Sequence, residues 1–183
     1  FRELGDEGGV MRTTWARGTV DYRSSDWQRA VATFTDALAR ARALRDAYWT
    51  AWSLHMLGGS EAALGELDAA RGHLDESLAM MVASGEITGI VLVLDDFAEL
   101  AWRGGDLPRA LRLQAAARTL QEQTGTDLAG LANEFMRAGG VPAGDLTAEG
   151  IARHAAEGRS LSLDEAVAYA SGGEFPAQRL AAG

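Results

Sequence analysis

Cysteine is absent from the 183 residues. That excludes disulfides, thiolate metal sites and cysteine nucleophiles. Proline is scarce, with 3 residues in the chain, which leaves long helices free to form. No run of about 18 apolar residues occurs, so no segment reads as a membrane span. Lysine is missing too, and all 17 basic residues are arginine. Genome base composition accounts for that, and it carries no functional weight. Positive charge is outnumbered, and the net charge is −9. Binding a phosphate backbone needs clustered positive charge, so direct contact with nucleic acid is not expected. Docking on an anionic membrane surface is not expected either. No signal peptide is visible and the chain begins at Phe1 without a methionine. The expectation is an excised piece of a longer, cytoplasmic protein.

What is present is a globular balance, 47% apolar and 23% charged, and not a disordered one. Alanine and leucine recur throughout and favour helix. The 22 glycines look excessive for helices until their places are noted. Many sit at segment ends, where helix caps need them.

A period organises the chain. Ser25-Asp26-Trp27-Gln28-Arg29-Ala30, Gly65-Glu66-Leu67-Asp68-Ala69-Ala70 and Gly105-Asp106-Leu107-Pro108-Arg109-Ala110 start 40 residues apart, twice. Each is a small residue, an acid, a large apolar residue, two spacers and an alanine. Downstream, Phe34, Leu74 and Gln114 share one register, and Ala37, Ser77 and Ala117 another. Upstream stand Gly18, Gly58 and Ala98. Small residues at a fixed place on neighbouring helices let the backbones approach closely. The small-acid pair marks the turn, with glycine ending one helix and the acid favouring the N-terminal end of the next. One hairpin cannot bury its apolar face alone, so neighbours must stack.

The pattern Leu57-Gly58…Gly65-Glu66-Leu67…Ala70…Leu74…Ser77 resembles the tetratricopeptide repeat. The resemblance covers roughly residues 11–125 in three copies. It departs from the family in its 40-residue period, where about 34 is usual, and in lacking the proline near the end of the second helix. Copy one is the most degenerate, with Thr14 and Arg17 where apolar residues are expected. The resemblance implies an all-α fold, an α-solenoid of three antiparallel helical hairpins with a C-terminal helical cap. Repeats fall at about 11–45, 46–85 and 86–125 within a 1–125 domain, capping helices at 126–171 and a flexible tail at 172–183.

Helices are expected at about 10–23, 26–44, 47–63, 67–84, 87–103 and 107–124. Ile87 to Val93 is rich in β-branched residues and strand-like in isolation, but its place in the repeat makes it helix. A shorter helix is expected at 127–138, a break at Gly139 to Gly144, and two more helices near 146–157 and 163–171. Ser162-Leu163-Asp164-Glu165 is a capping box. The stretch Glu157 to Val167 is similar to the chain end of many actinobacterial multidomain regulators. That similarity implies a parent that is a large signal-transduction ATPase, or a LuxR-type or cyclase-linked transcriptional regulator.

Residues for chemistry are sparse. His55, His73 and His154 have no second histidine at helical spacing, so no helical metal pair exists. His73 beside Asp75 and Glu76 reads as a solvated helix face. Asp95 and Glu99 share a helix face with Asp96 nearby. An acid pair or cation site is set there against a polar rim on a binding groove, and the rim is the reading taken. Gly58-Gly59-Ser60 lies in a helix-to-loop region without a following lysine, so it is no nucleotide cradle. No Gly-x-Ser-x-Gly elbow appears. No catalytic residue, cofactor or metal is therefore expected.

In the family, groove residues come from the first helix of each hairpin. By position these are Arg12, Trp15, Thr19 and Tyr22, then Trp52, His55, Gly59 and Ala62, then Leu92, Asp95, Glu99 and Trp102. Aromatic and arginine residues are what binding hot spots favour. Arg12, Trp15, Tyr22, Trp52, His55, Asp95, Glu99 and Trp102 are thus the candidate groove, the other reading being rings that only fill the interior. The expected function is a non-catalytic docking or regulatory module for a protein, a peptide or neighbouring domains of the parent chain. The alternatives are a free-standing scaffold and a small-molecule binder using the groove. An array cut short exposes an apolar end, which points to a homodimer through that face.

Overall fold

The computed structural model describes residues 5–124 and 146–176. All regular structure among them is helical: α1 (Glu7–Arg23), α2 (Trp27–Ala43), α3 (Ala47–Leu64), α4 (Leu67–Ser84), α5 (Ile87–Arg103), α6 (Leu107–Thr124), α7 (Ala148–Arg159) and α8 (Leu163–Ala170). The six expected repeat helices are all found, within three residues at each end. The β-branched run Ile87 to Val93 opens α5. The helix expected at 127–138 and the glycine break after it lie outside the described residues.

The turns explain why helices stop where they do. Gly5, Ser25, Arg45, Gly65, Gly85 and Gly105 all have positive φ, and each is followed by an acid. The real period is therefore 20 residues, one helix and one turn. At the last five turns the backbone N–H of the acid donates to a carbonyl five residues earlier. The pairs are Asp26 to Asp21 (3.0 Å), Asp46 to Ala41 (3.0 Å), Glu66 to Glu61 (2.9 Å), Glu86 to Met81 (3.0 Å) and Asp106 to Ala101 (2.8 Å). This closes the outgoing helix in a Schellman bond. The same acids open the next helix. The carboxylates of Asp6, Asp26, Asp46 and Asp106 accept from the N–H three residues on, at 2.8, 3.4, 3.1 and 3.1 Å, and satisfy a donor the helix leaves orphaned.

The chain divides into two compact units, Phe1–Glu86 and Ile87–Gly183. The first holds the hairpins α1–α2 and α3–α4. Contacts run antiparallel: Asp21 meets Thr33 and Gly18 meets Phe34, while Glu7 reaches Arg40. Its core contains Ala30, Phe34, Leu38, Leu54 and Leu57. The small residues do what their spacing implies. A Cβ on Gly18 would come within 2.7 Å of the Phe34 ring, and one on Gly58 within 2.8 Å of Leu74. Gly58-Gly59-Ser60 is therefore not a helix-to-loop boundary. It lies inside α3, where glycine admits the side chain of the facing helix.

A second equivalent pair carries charge. Buried Asp21 accepts from the Thr33 hydroxyl at 3.0 Å. Forty residues on, buried Glu61 meets His73 Nδ1 at 2.7 Å. His73 is thus partnered across the hairpin and is no freely solvated face. In the third copy the same register holds Ala101 and Leu113, both buried and apolar.

The second unit holds the hairpin α5–α6 with α7 and α8. Thr147 caps α7, and Ser162 with Glu165 forms the expected capping box on α8. Gly158 of α7 lies against the backbone of α6, where a Cβ would come within 2.1 Å of the Arg112 carbonyl oxygen.

Candidate functional site

The eight candidate residues fall into two groups, one in each unit. In the first unit, α1 carries Arg12, Trp15 and Tyr22, and α3 carries Trp52 and His55. Arg12 is exposed, Trp15, Tyr22 and Trp52 are half-buried, and His55 is buried. Rings connect most of them. Trp15 meets Trp49 edge-on at 5.2 Å, Trp49 meets Tyr48 at 5.4 Å, Tyr48 meets Trp52 at 6.1 Å, and Trp52 meets His55 at 5.6 Å. Tyr22 packs edge-on against Trp27 at 5.1 Å, and Trp27 is itself only half-buried. Tyr48, in the middle of the row, is its most exposed ring, at 54%.

Local sequence sets this row. Asp46 caps α3 and starts it, so Tyr48, Trp49 and Trp52 fall in its first turns. Trp15 also packs edge-on against the core ring Phe34 at 6.2 Å. The indole N–H groups of Trp15 and Trp52 are buried with no hydrogen-bond partner among the described residues. Tyr48 and Trp49 belong to the row, and the family's groove positions do not include them. Their signal was the aromatic run Tyr48-Trp49 two residues after a cap.

In the second unit, α5 carries Asp95, Glu99 and Trp102, all half-buried. Burial, then the charges of Asp96 and Glu99, push the Asp95 carboxyl up to about 7. Glu99 is raised by burial, against the pull of Arg103, whose Nε donates to Glu99 at 2.7 Å. The Arg103 guanidinium also lies over the Trp102 ring at 5.6 Å. Among the described residues no three His, Asp or Glu side chains gather as a metal site.

A third cluster joins residues that no sequence motif links. Arg112 Nε donates to Glu157 at 2.7 Å, and His154 Nδ1 lies 2.8 Å from the same carboxylate oxygen. Burial opposes the Glu157 charge, but the bonds to His154 and Arg112 hold its carboxyl below the usual range.

A tetratricopeptide repeat family model matches residues 10–81. The hairpins are tetratricopeptide-like. The match spans α1 to most of α4, hence the whole aromatic row. No curated protein and no solved structure matches the chain. Tetratricopeptide-like repeats are a protein-interaction architecture. No described helix is long and apolar enough to cross a membrane.

Proposed function

We propose that this chain is a non-catalytic docking module whose first helices take up a segment of a protein partner. The observation that carries the reading is the aromatic row Trp15, Trp49, Tyr48, Trp52 and His55. It joins the first helices of two consecutive hairpins inside the span that matches the repeat family. Rigid aromatic rings give large contact area at small entropic cost and make the strongest interface anchors. Arg12, exposed on α1, adds a charge-assisted donor beside them. On the second unit, Asp95, Glu99 and Trp102 of α5 are proposed as a separate set of binding residues.

The larger setting we infer is the C-terminal sensor or docking domain of a cytoplasmic bacterial signalling or transcription regulator. The similarity of Glu157 to Val167 to the chain ends of such proteins supports it. Occupancy of the first helices would then bias the parent only if the partner binds its two states with different affinity. A nucleotide-binding loop encoded upstream in the same reading frame is the expected finding. A start codon directly before Phe1 favours a free-standing scaffold instead.

The docking reading is tested with a phage-displayed library of unstructured peptides panned on the purified chain. Enriched peptides should bind, and Trp52→Ala should weaken them about 10-fold or more with the far-UV circular dichroism unchanged. Peptides that bind Trp52→Ala and Trp15→Ala as well as the parent chain, or no enrichment at all, would overturn it.

A further inference from the structure

The C-terminal helices are fastened to the last repeat helix by charge more than by apolar packing. Two arginines of α6 do most of the fastening. Arg112 donates to buried Glu157 of α7 at 2.7 Å and to the Tyr169 hydroxyl of α8 at 3.3 Å. Its guanidinium lies 4.5 Å over the Phe175 ring. Arg109 lies 4.5 Å over the Tyr169 ring and donates to the Tyr169 carbonyl and, at 3.3 Å, to that of Ala170. Those carbonyls end α8, where the helix carries its partial negative charge. His154 completes the cluster on the Glu157 carboxylate. Phe175 lies in the stretch expected to be a loose tail, yet it packs on Tyr169 at 5.6 Å.

Apolar anchoring is thin by comparison. From α7 to Phe175 the large apolar or aromatic side chains that are buried are Leu161 and Tyr169, joined by Ala166 and Ala170. Ile151 of α7 stays 40% exposed. The helices are short, 12 and 8 residues, against 17 or 18 in each repeat helix. Helices of that length are marginal in water without packing. Docking and helix formation are therefore one event, which makes a two-state element.

We propose that α7, α8 and the residues to Phe175 form a strap, clasped on α6 through Arg109, Arg112 and Glu157, that opens as a unit while the hairpins stay folded. Closed, it covers the side of α6 that carries Arg109 and Arg112. Open, it frees that side of the last repeat helix. The proposal is independent of what docks on the aromatic row.

Hydrogen exchange of the full chain, read by mass spectrometry, tests it. In the parent chain the amides of α7 and α8 should exchange together, at least about 10-fold faster than those of α5 and α6. Glu157→Gln removes the charge and keeps the shape, leaving half-buried Arg112 without its charge partner. It should raise exchange in α7 and α8 by a further ~100-fold, with α1 to α4 unchanged. Arg112→Met should do the same from the other side. Three results would overturn the strap. One is α7 and α8 exchanging in step with α5 and α6 in the parent chain. Another is either variant leaving α7 and α8 as protected as before. The third is either variant losing protection across α1 to α4 as well, which would make the clasp part of the global core.

Discussion

At the scale of single residues, burial decides more than identity. The Asp95 carboxyl is lifted to about 7, by burial first and then by the charges of Asp96 and Glu99. The sign of its effect on stability follows. Its folded value lies above the ordinary 3.8, so between the two the folded protein holds a proton that the unfolded chain releases. That stabilisation is complete below the ordinary value and is lost as pH rises through about 7. Glu157 has the opposite sign: its lowered carboxyl stabilises above the ordinary 4.5 and the contribution is lost as pH falls through its folded value. Asp95→Asn should therefore be more stable than the parent at pH 8, by at most about 4 kcal/mol, and the advantage should vanish toward pH 4. Urea unfolding of both chains across that range checks it. An advantage that is the same at pH 4 and pH 8 would contradict the assignment. Residue-scale pairings were the least legible in the sequence. Nothing local marks Arg112 as the partner of Glu157, 45 positions away. His73 looked solvated because Asp75 and Glu76 flank it, whereas its partner Glu61 stands on the facing helix. Trp15 and Trp52 were legible as candidates because their register in the repeat places them on first helices.

At the scale of elements, the turn sets the architecture. The 40-residue period was legible because Gly65 and Gly105 repeat the small-acid pair. The 20-residue period behind it was hidden, because Ser25 and Arg45 fill left-handed positions that glycine fills elsewhere. Ser25 has φ 58° and Arg45 φ 54°, and both are exposed. A side chain there meets its own backbone, at a cost of roughly 1–2 kcal/mol. Glycine relieves that strain but makes the unfolded chain more flexible, which takes back about 0.4–1 kcal/mol. Arg45→Gly should thus raise stability by about 0.5–1 kcal/mol net, and Ser25→Gly by a similar amount. Gly65→Ala, at φ 84°, should lower it by about 1 kcal/mol. Thermal melts of the three variants decide it. If Arg45→Gly melts below the parent, its positive φ is not a strained position.

At the scale of the molecule, the question is what each unit can do alone. A lone hairpin leaves its apolar face open, but residues 1–86 hold two, and they share a core around Phe34, Leu38, Leu54 and Leu57. Three long helix–helix contacts are then satisfied inside the unit, with the Asp21–Thr33 and Glu61–His73 pairs both intact. The aromatic row is also complete within it, since Trp15, Tyr48, Trp49, Trp52 and His55 all precede residue 86. Domains of 60 residues fold but are marginal, and stability grows with the fraction of surface buried. A chain of residues 1–86 should therefore be helical and melt cooperatively, below the melting point of the full protein. Its near-ultraviolet circular dichroism should keep the signal of the edge-on Trp15–Trp49 contact, because that signal needs fixed rings. Peptides selected on the full chain through Trp52 should still bind it. A fragment that is helical but has lost the near-ultraviolet signal would mean that the row is ordered only in the longer chain. In that case the docking surface would belong to the stack and not to the two hairpins that carry its rings.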